Sequence, residues 1–165
     1  MDAAVRQQAR ERMKGYCRVC PVCDGRACAG EVPGMGGLGT GSAFRANVEA
    51  LKKVRLAMRC LHRAVQPNLA CSVLGLDLAL PVLAAPIGGV SFNMGGGPVT
   101  EADYADAIML GCRDAGIIGC GGDGVGDVIH ECAFESIRKA GGHGIPFIKP
   151  WDGEELNRKL PGVGD

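Results

Sequence analysis

The feature that most constrains this chain lies after residue 70. Three short apolar runs, "PVLAAPI" (81–87), "GIIGC" (116–120) and "IPFIKP" (145–150), alternate with stretches patterned for helix. Runs of this length are too short for helices, and their continuous apolar content is that of strands buried on both faces. Helical segments of about 10–15 residues between such strands are the crossovers of a parallel sheet. The expected fold class is α/β, as a partial TIM (β/α)8 barrel with three βα units. An eight-stranded barrel takes about 250 residues, and the chain has 165, so the barrel reads as truncated.

The helical stretches carry their own start and stop signals. Thr100-Glu101-Ala102-Asp103 has the Ser/Thr-x-x-acid form of a capping box and opens a helix to about Ala115. Ala105, Ile108, Met109 and Cys112 share one face of it. Asp127 is the expected cap of a second helix, with Val128, Ile129, Cys132, Ala133 and Ile137 on its apolar side and Gly141-Gly142 at its end. Residues 152–160 begin a third. Upstream, Val73-Leu74, Gly75 and Leu76 to Leu80 read as a hairpin closing the barrel bottom. Residues 44–61 have apolar positions at Phe44, Val48, Leu51, Val54, Met58 and Leu61, the period of an amphipathic helix. Residues 2–14 form a short polar helix exposing Arg6, Arg10, Arg12 and Lys14. Two segments follow: an N-terminal helix with a Cys/Gly-rich stretch over 1–43, and the barrel part over 44–165.

Charge excludes some partners. Eighteen basic and eighteen acidic side chains cancel, so no global field recruits nucleic acid or an anionic membrane surface. No apolar run reaches the roughly 18 residues of a membrane span. The N-terminal stretch "MDAAVRQQARERMKGY" is charged and lacks an apolar signal core, which points to the cytoplasm. The 27 glycines cluster at 34–41, 88–97, 119–126 and 141–144, as expected of loops that expose backbone between strands and helices. Nine cysteines, an odd number with no export signal, are read as reduced thiols.

Four of those thiols stand apart. Cys17, Cys20, Cys23 and Cys28 form C-x2-C-x2-C-x4-C, one residue longer than the ferredoxin run. Thiolates at this spacing can wrap one face of a 4Fe–4S cluster. Structural zinc more often uses two C-x2-C knuckles with a longer spacer. Pro21 and Gly25 suit tight turns, and Arg18 and Arg26 would offset thiolate charge. Plain reduced or redox-active thiols in a rigid loop are the third reading, and spacing leaves all three open.

Residues 44–120, with "NVEALKKVRL", "SVLGLDLALPVLAAPIGG" and "AIMLGCRDAGIIGC", resemble the N-terminal part of the FMN-dependent α-hydroxy-acid dehydrogenase/oxidase family, to which glycolate oxidase and lactate oxidase belong. The opening "VCPVCDGRACAGEVPGMGGLGTGSAF" is similar to that of an anaerobe-type branch of it. The resemblance implies an FMN enzyme that oxidises a small 2-hydroxy acid to a 2-oxo acid. It places Ala85, Pro86, Ile87 and Gly88, after the first barrel strand, against the flavin ring. It also places Cys120 where relatives present a Ser to the flavin, and Lys149 near a Gln beside the flavin pyrimidine. A cation there would stabilise the anionic reduced flavin. The family's His base, substrate-binding Arg side chains and phosphate loop belong to the second half of its barrel, so no catalytic residue is assigned. Pairing with another copy of the chain is the alternative to a truncated product. Two rival functions remain: a metal-binding or iron–sulfur electron-transfer module, and a type 2 isopentenyl diphosphate isomerase-like FMN protein, whose "MTGG" loop "PIGG" resembles.

Other motifs have plainer readings. "GMGGLGTGS" (34–42) lacks the GK[ST] ending of a phosphate loop and reads as an ordered linker. "GGDGVGD" (121–127) precedes a helix N-terminus, but Asp123 opposes an anion there, so a tight βα turn is expected. His62, His130 and His143 read as surface or partly packed residues. Cys60, Cys71, Cys112 and Cys132 read as core. Trp151 borders the site mouth or simply packs.

Overall fold

A computed structural model describes residues 3–31, 36–93 and 99–163. The chain divides into two compact units, residues 1–65 with 92–98, and residues 66–91 with 99–165.

The first unit holds helix α1 (Ala3–Arg12), the cysteine-rich loop and helix α2 (Ser42–Lys53). No residue of α1 is buried, and Arg10 Nε donates to the Arg18 carbonyl at 3.0 Å. Helix α2 follows Gly41, which is left-handed at φ 63°, and stops at Lys53, where Val54 turns extended. The apolar period to Leu61 predicts a longer helix. In the structure every residue from 51 to 70 is exposed, and Leu61 is 97% exposed. Short helices draw most of their stability from packing an apolar face. No described residue covers this one, so the period alone does not extend the helix. Cys60 lies in the same stretch and is exposed rather than core.

The second unit opens with strands β1 (Cys71–Val73) and β2 (Leu76–Leu78), an antiparallel hairpin. Leu74 and Gly75 between them have φ of 51° and 80°, the two left-handed residues of a two-residue hairpin turn. Strand β3 (Leu83–Ile87) pairs in parallel with β4 (Ile118–Gly121), Leu83 opposite Ile118 and Ile87 opposite Gly121. The register shifts between Ala84 and Ile87, around Pro86, which has no N–H to give to a ladder. The third expected strand, 145–150, is reduced to one parallel bridge between Cys120 and Ile145. Pro146 and Pro150 lack ladder donors, and the Lys149 N–H is taken by the Asp123 side chain instead. No closed barrel is present among the described residues.

The strand-to-strand links are helical. A short turn α3 (Val90–Asn93) precedes α4 (Glu101–Asp114), α5 (Asp127–Lys139) follows β4, and α6 (Gly153–Lys159) runs into a 3-10 turn (Leu160–Val163). Thr100 and Asp103 close the expected capping box on α4. The cap of α5 is Gly126, not Asp127. Asp127 is the first helical residue, where a carboxylate suits the helix dipole, and it pairs with Arg158 of α6. The buried side of α5 is His130, Ala133, Phe134 and Ser136, while Val128 is 52% exposed. His130 is thus a core residue, set edge-on to Phe134 with ring centroids 5.5 Å apart.

Side-chain alternation along β4 separates two faces. Ile118 and Cys120 join Leu78 in an apolar cluster that the hairpin completes with Cys71, Val73 and Leu76. Gly119 and Gly121 face the helices. A Cβ at Gly119 would lie 2.8 Å from Met109 Sδ, and one at Gly121 2.9 Å from the Ala133 Cβ. Bare backbone on that face lets α4 and α5 seat directly on the strand. Strand β4 is buried throughout, as its apolar run predicts. Strand β3 is not: only Ala84 is half-buried, because β4 occupies one edge and no described residue covers the rest.

Candidate functional site

The parallel pairing brings the carboxyl ends of β3 and β4 to one edge of the sheet. Ala85, Pro86 and Ile87, expected in a loop, are the last residues of β3, and all three are exposed. Gly88 follows and is half-buried. Its neighbour across the sheet is Gly122, where a Cβ would lie 2.5 Å from the Ile87 carbonyl oxygen and 2.6 Å from the Gly88 nitrogen. The two strand ends therefore touch backbone to backbone, and only glycine fits at 122.

The chain beyond Gly88 is held by Glu101, a carboxylate 5% exposed. It accepts hydrogen bonds from the Gly89 N–H (3.1 Å), the Ser91 N–H (2.9 Å) and the Ser91 hydroxyl (2.8 Å). A buried carboxylate with three donors fixes the exit of β3. Between this exit, β4 and the two helices the void is only about 10 Å³, lined in part by Ile87, Gly88, Cys120 and Gly122. Ligand sites are typically about 300–1,000 Å³, so nothing of cofactor size enters between sheet and helices. The accessible side is the exposed end of β3.

Cys120 is 5% exposed and belongs to the apolar cluster over the hairpin, and burial pushes its thiol pKa up. The side chain is thus an uncharged part of the wall rather than a presented hydrogen-bonding group. Lys149 is exposed, and its N–H donates to Asp123 Oδ2 at 2.8 Å, which draws the chain after Ile145 to the loop after β4. All six residues expected near the flavin ring lie in the second unit, at or just beyond the carboxyl ends of strands and bridge.

Sequence reasoning missed what holds the third end in place. Asp123, read as a turn residue, is 9% exposed and accepts from the Gly124 N–H (2.8 Å), Lys159 Nζ (2.6 Å), the Lys149 N–H and Trp151 Nε1 (2.6 Å). Burial pushes its carboxyl up, but these donors and the Lys159 charge outweigh it and hold it at about 2. Lys159, in a polar helical stretch, is 1% exposed. The available signal was an acid flanked by glycines directly after a fully apolar run, where an unpaired carboxylate would be costly.

The four cysteines lie in the first unit. Cys17, Cys20 and Cys28 are half-buried and Cys23 is exposed. The Val19 N–H points at Cys17 Sγ (3.3 Å), and Val19 is left-handed at φ 46°, an uncommon conformation for a β-branched residue. Burial, and then proximity to Cys17 and Cys23, push the Cys28 thiol up. Arg18 forms a two-pronged pair with Glu31 (2.8 and 2.5 Å), and its charge still draws the Cys28 thiol down, as expected, though by less than burial raises it; Arg26 pairs with Asp24. Among the described residues no group of three or more His, Cys, Asp or Glu is arranged to hold a metal ion. Part of the glycine-rich stretch 34–42, residues 34–35, lies outside the described residues. His143 Nε2 lies 2.7 Å from the Ile117 carbonyl oxygen, and His62 is exposed. Among the described residues no helix is long and apolar enough to cross a membrane.

A family model described as FMN-dependent dehydrogenase matches residues 34–143. No curated protein and no solved structure matches the chain.

Proposed function

The chain belongs to the FMN-dependent dehydrogenase family, and from that premise we propose that the second unit carries the ring side of an FMN site, within part of a TIM barrel, for oxidation of a 2-hydroxy acid to a 2-oxo acid. FMN is the cofactor of the family, and when bound it supplies an acceptor for the two electrons that leave C2 of the substrate. The observation that carries the reading is the convergence of two strand ends and a bridged segment: Ile87 beside Gly121, Cys120 beside Ile145, and the Lys149 N–H on the loop after β4.

The residues present fit a flat, largely apolar ring with one anionic edge. Ala85, Pro86 and Ile87 offer an exposed apolar strip, and Gly88 and Gly122 let the two backbones lie together without side chains in between. Cys120 is buried in the apolar cluster over the hairpin, with Ile145 packed against it. Lys149, whose backbone N–H is held on the loop after β4, is exposed, and its ammonium is suited to negative charge on a reduced ring. The parallel-sheet setting adds support, because barrel sites lie at the carboxyl ends of strands.

Titrating the chain with FMN tests this. We expect quenched flavin fluorescence at saturation, and weaker binding in Lys149→Met. Flavin fluorescence unchanged by the wild-type chain would rule the site out.

A second reading concerns the first unit and rests on Val19. The Val19 N–H is directed at Cys17 Sγ, and the strained Val19 backbone is the kind of local cost that persists where a site needs it. In this reading Cys17, Cys20, Cys23 and Cys28 close on zinc or an iron–sulfur cluster when it arrives, with side-chain rotation supplying the convergence. Cobalt(II) titration is the probe: thiolate-to-cobalt absorption that is lost in Cys20→Ala supports it, and no such absorption in the reduced wild-type chain contradicts it.

A further inference from the structure

One carboxylate in the second unit joins three separate stretches of chain. Asp123, on the loop after β4, uses Oδ1 for the Gly124 N–H and for Lys159 Nζ of α6, and Oδ2 for the Lys149 N–H and the Trp151 indole N–H. Lys159 Nζ donates a second bond to the Gly124 carbonyl at 2.9 Å, and Glu155 Oε1 lies 3.4 Å from it. The Trp151 ring lies 4.7 Å from Lys159 Nζ and 5.9 Å from Lys149 Nζ. His130 Nδ1, buried and with no hydrogen-bond partner, stands 3.9 Å from Asp123 Oδ1.

Stability alone does not call for such an arrangement. Two buried charges lose their hydration, and apolar residues of similar volume often serve a fold as well or better. A fully bonded carboxylate does provide direction, because each of its donors is fixed in angle as well as distance. Here two of those donors are the backbone of Lys149 and the side chain of Trp151, at the strand end proposed to meet the flavin.

We propose that Asp123 is a positioning residue: it aims the backbone of Lys149 and the indole of Trp151 at the strand ends and, through Lys159, makes α6 a structural part of the flavin site. The proposal rests on the FMN reading above. Lys149 is anchored by its backbone N–H, so its ammonium, 5.9 Å from the Trp151 ring centroid, stays available to a ligand while its origin is fixed.

The test compares the wild-type chain with Asp123→Asn and with the double variant Asp123→Asn/Lys159→Met. Trp151 is the single tryptophan of the chain, so its emission reports this network without any flavin bound. FMN titration supplies the second readout. Removing one charge strands the other, so Asp123→Asn should lose thermal stability that the double variant largely recovers. Both variants should keep a shifted Trp151 emission and bind FMN at least about tenfold more weakly, as expected when a charge-assisted hydrogen bond is lost. A double variant with wild-type emission and wild-type FMN affinity would overturn the proposal, leaving Asp123 a structural residue. Should Asp123→Asn fail to fold, the double variant decides the matter. A wild-type chain that takes up no FMN refutes the FMN reading separately, and the emission comparison then decides alone whether Asp123 sets the strand end.

Discussion

Lys159 Nζ lies 2.6 Å from Asp123 Oδ1, and neither side chain is more than 1% exposed. The two residues are far apart in sequence, yet their pairing holds the last helix against the loop after β4. A buried ion pair of this kind costs about 3–5 kcal/mol when one partner is removed and much less when both are replaced. Chemical denaturation of Lys159→Met should show a loss in that range, with a smaller loss in the double variant.

The same pair sets an acid limit. Asp123 is held at about 2, against an ordinary 3.8. A carboxyl depressed in the folded state contributes stability above its unfolded pKa and loses it as pH falls through the folded value. The wild-type chain should therefore lose about 2 kcal/mol between about pH 4 and pH 2 from this group alone. Denaturant midpoints for Asp123→Asn should lack that part of the decline. Equal acid sensitivity in the two chains would assign the effect elsewhere.

At Gly122 the constraint is steric. A Cβ there meets the Ile87 carbonyl oxygen and the Gly88 nitrogen inside contact distance, and both are backbone atoms that cannot rotate away. Gly122→Ala should therefore push the ends of β3 and β4 apart, lowering stability by roughly 1–3 kcal/mol and weakening FMN binding. Gly153→Ala is the control, since a Cβ at Gly153 meets nothing within 4 Å.

Glu101 makes a local prediction. Glu101→Gln leaves one carbonyl oxygen for three donors at Gly89 and Ser91. A stranded buried donor costs about 1–3 kcal/mol, and the Gly89 and Ser91 amides should exchange with solvent faster than in the wild-type chain. Unchanged exchange at both would mean that Glu101 does not hold the exit of β3.

Local signals in the sequence were legible where the physics is local. The Thr100–Asp103 capping box and the Leu74–Gly75 turn each depend on neighbours within a few residues, and both stand as expected. So does the buried run of β4, where every residue of the strand is apolar or glycine. Expectations failed where the outcome depended on distant cover. The apolar period through Leu61 has nothing to pack on among the described residues, and the exposed β3 has a partner on one edge only. Residues 145–150 keep a single bridge because Asp123 takes the Lys149 amide. The positions of Ala85 to Gly88, Cys120 and Lys149 at neighbouring ends followed from the strand–helix alternation together with the family resemblance. The Asp123–Lys159 pair did not, since nothing in a polar segment such as "EELNRKL" marks which lysine will be buried.

The most direct test of the flavin account is amide hydrogen exchange of the wild-type chain with and without FMN. Bound FMN is expected to slow exchange together at residues 87–89, 120–124 and 147–151. Saturating FMN that protects none of these three stretches, or protects only one of them, would contradict it.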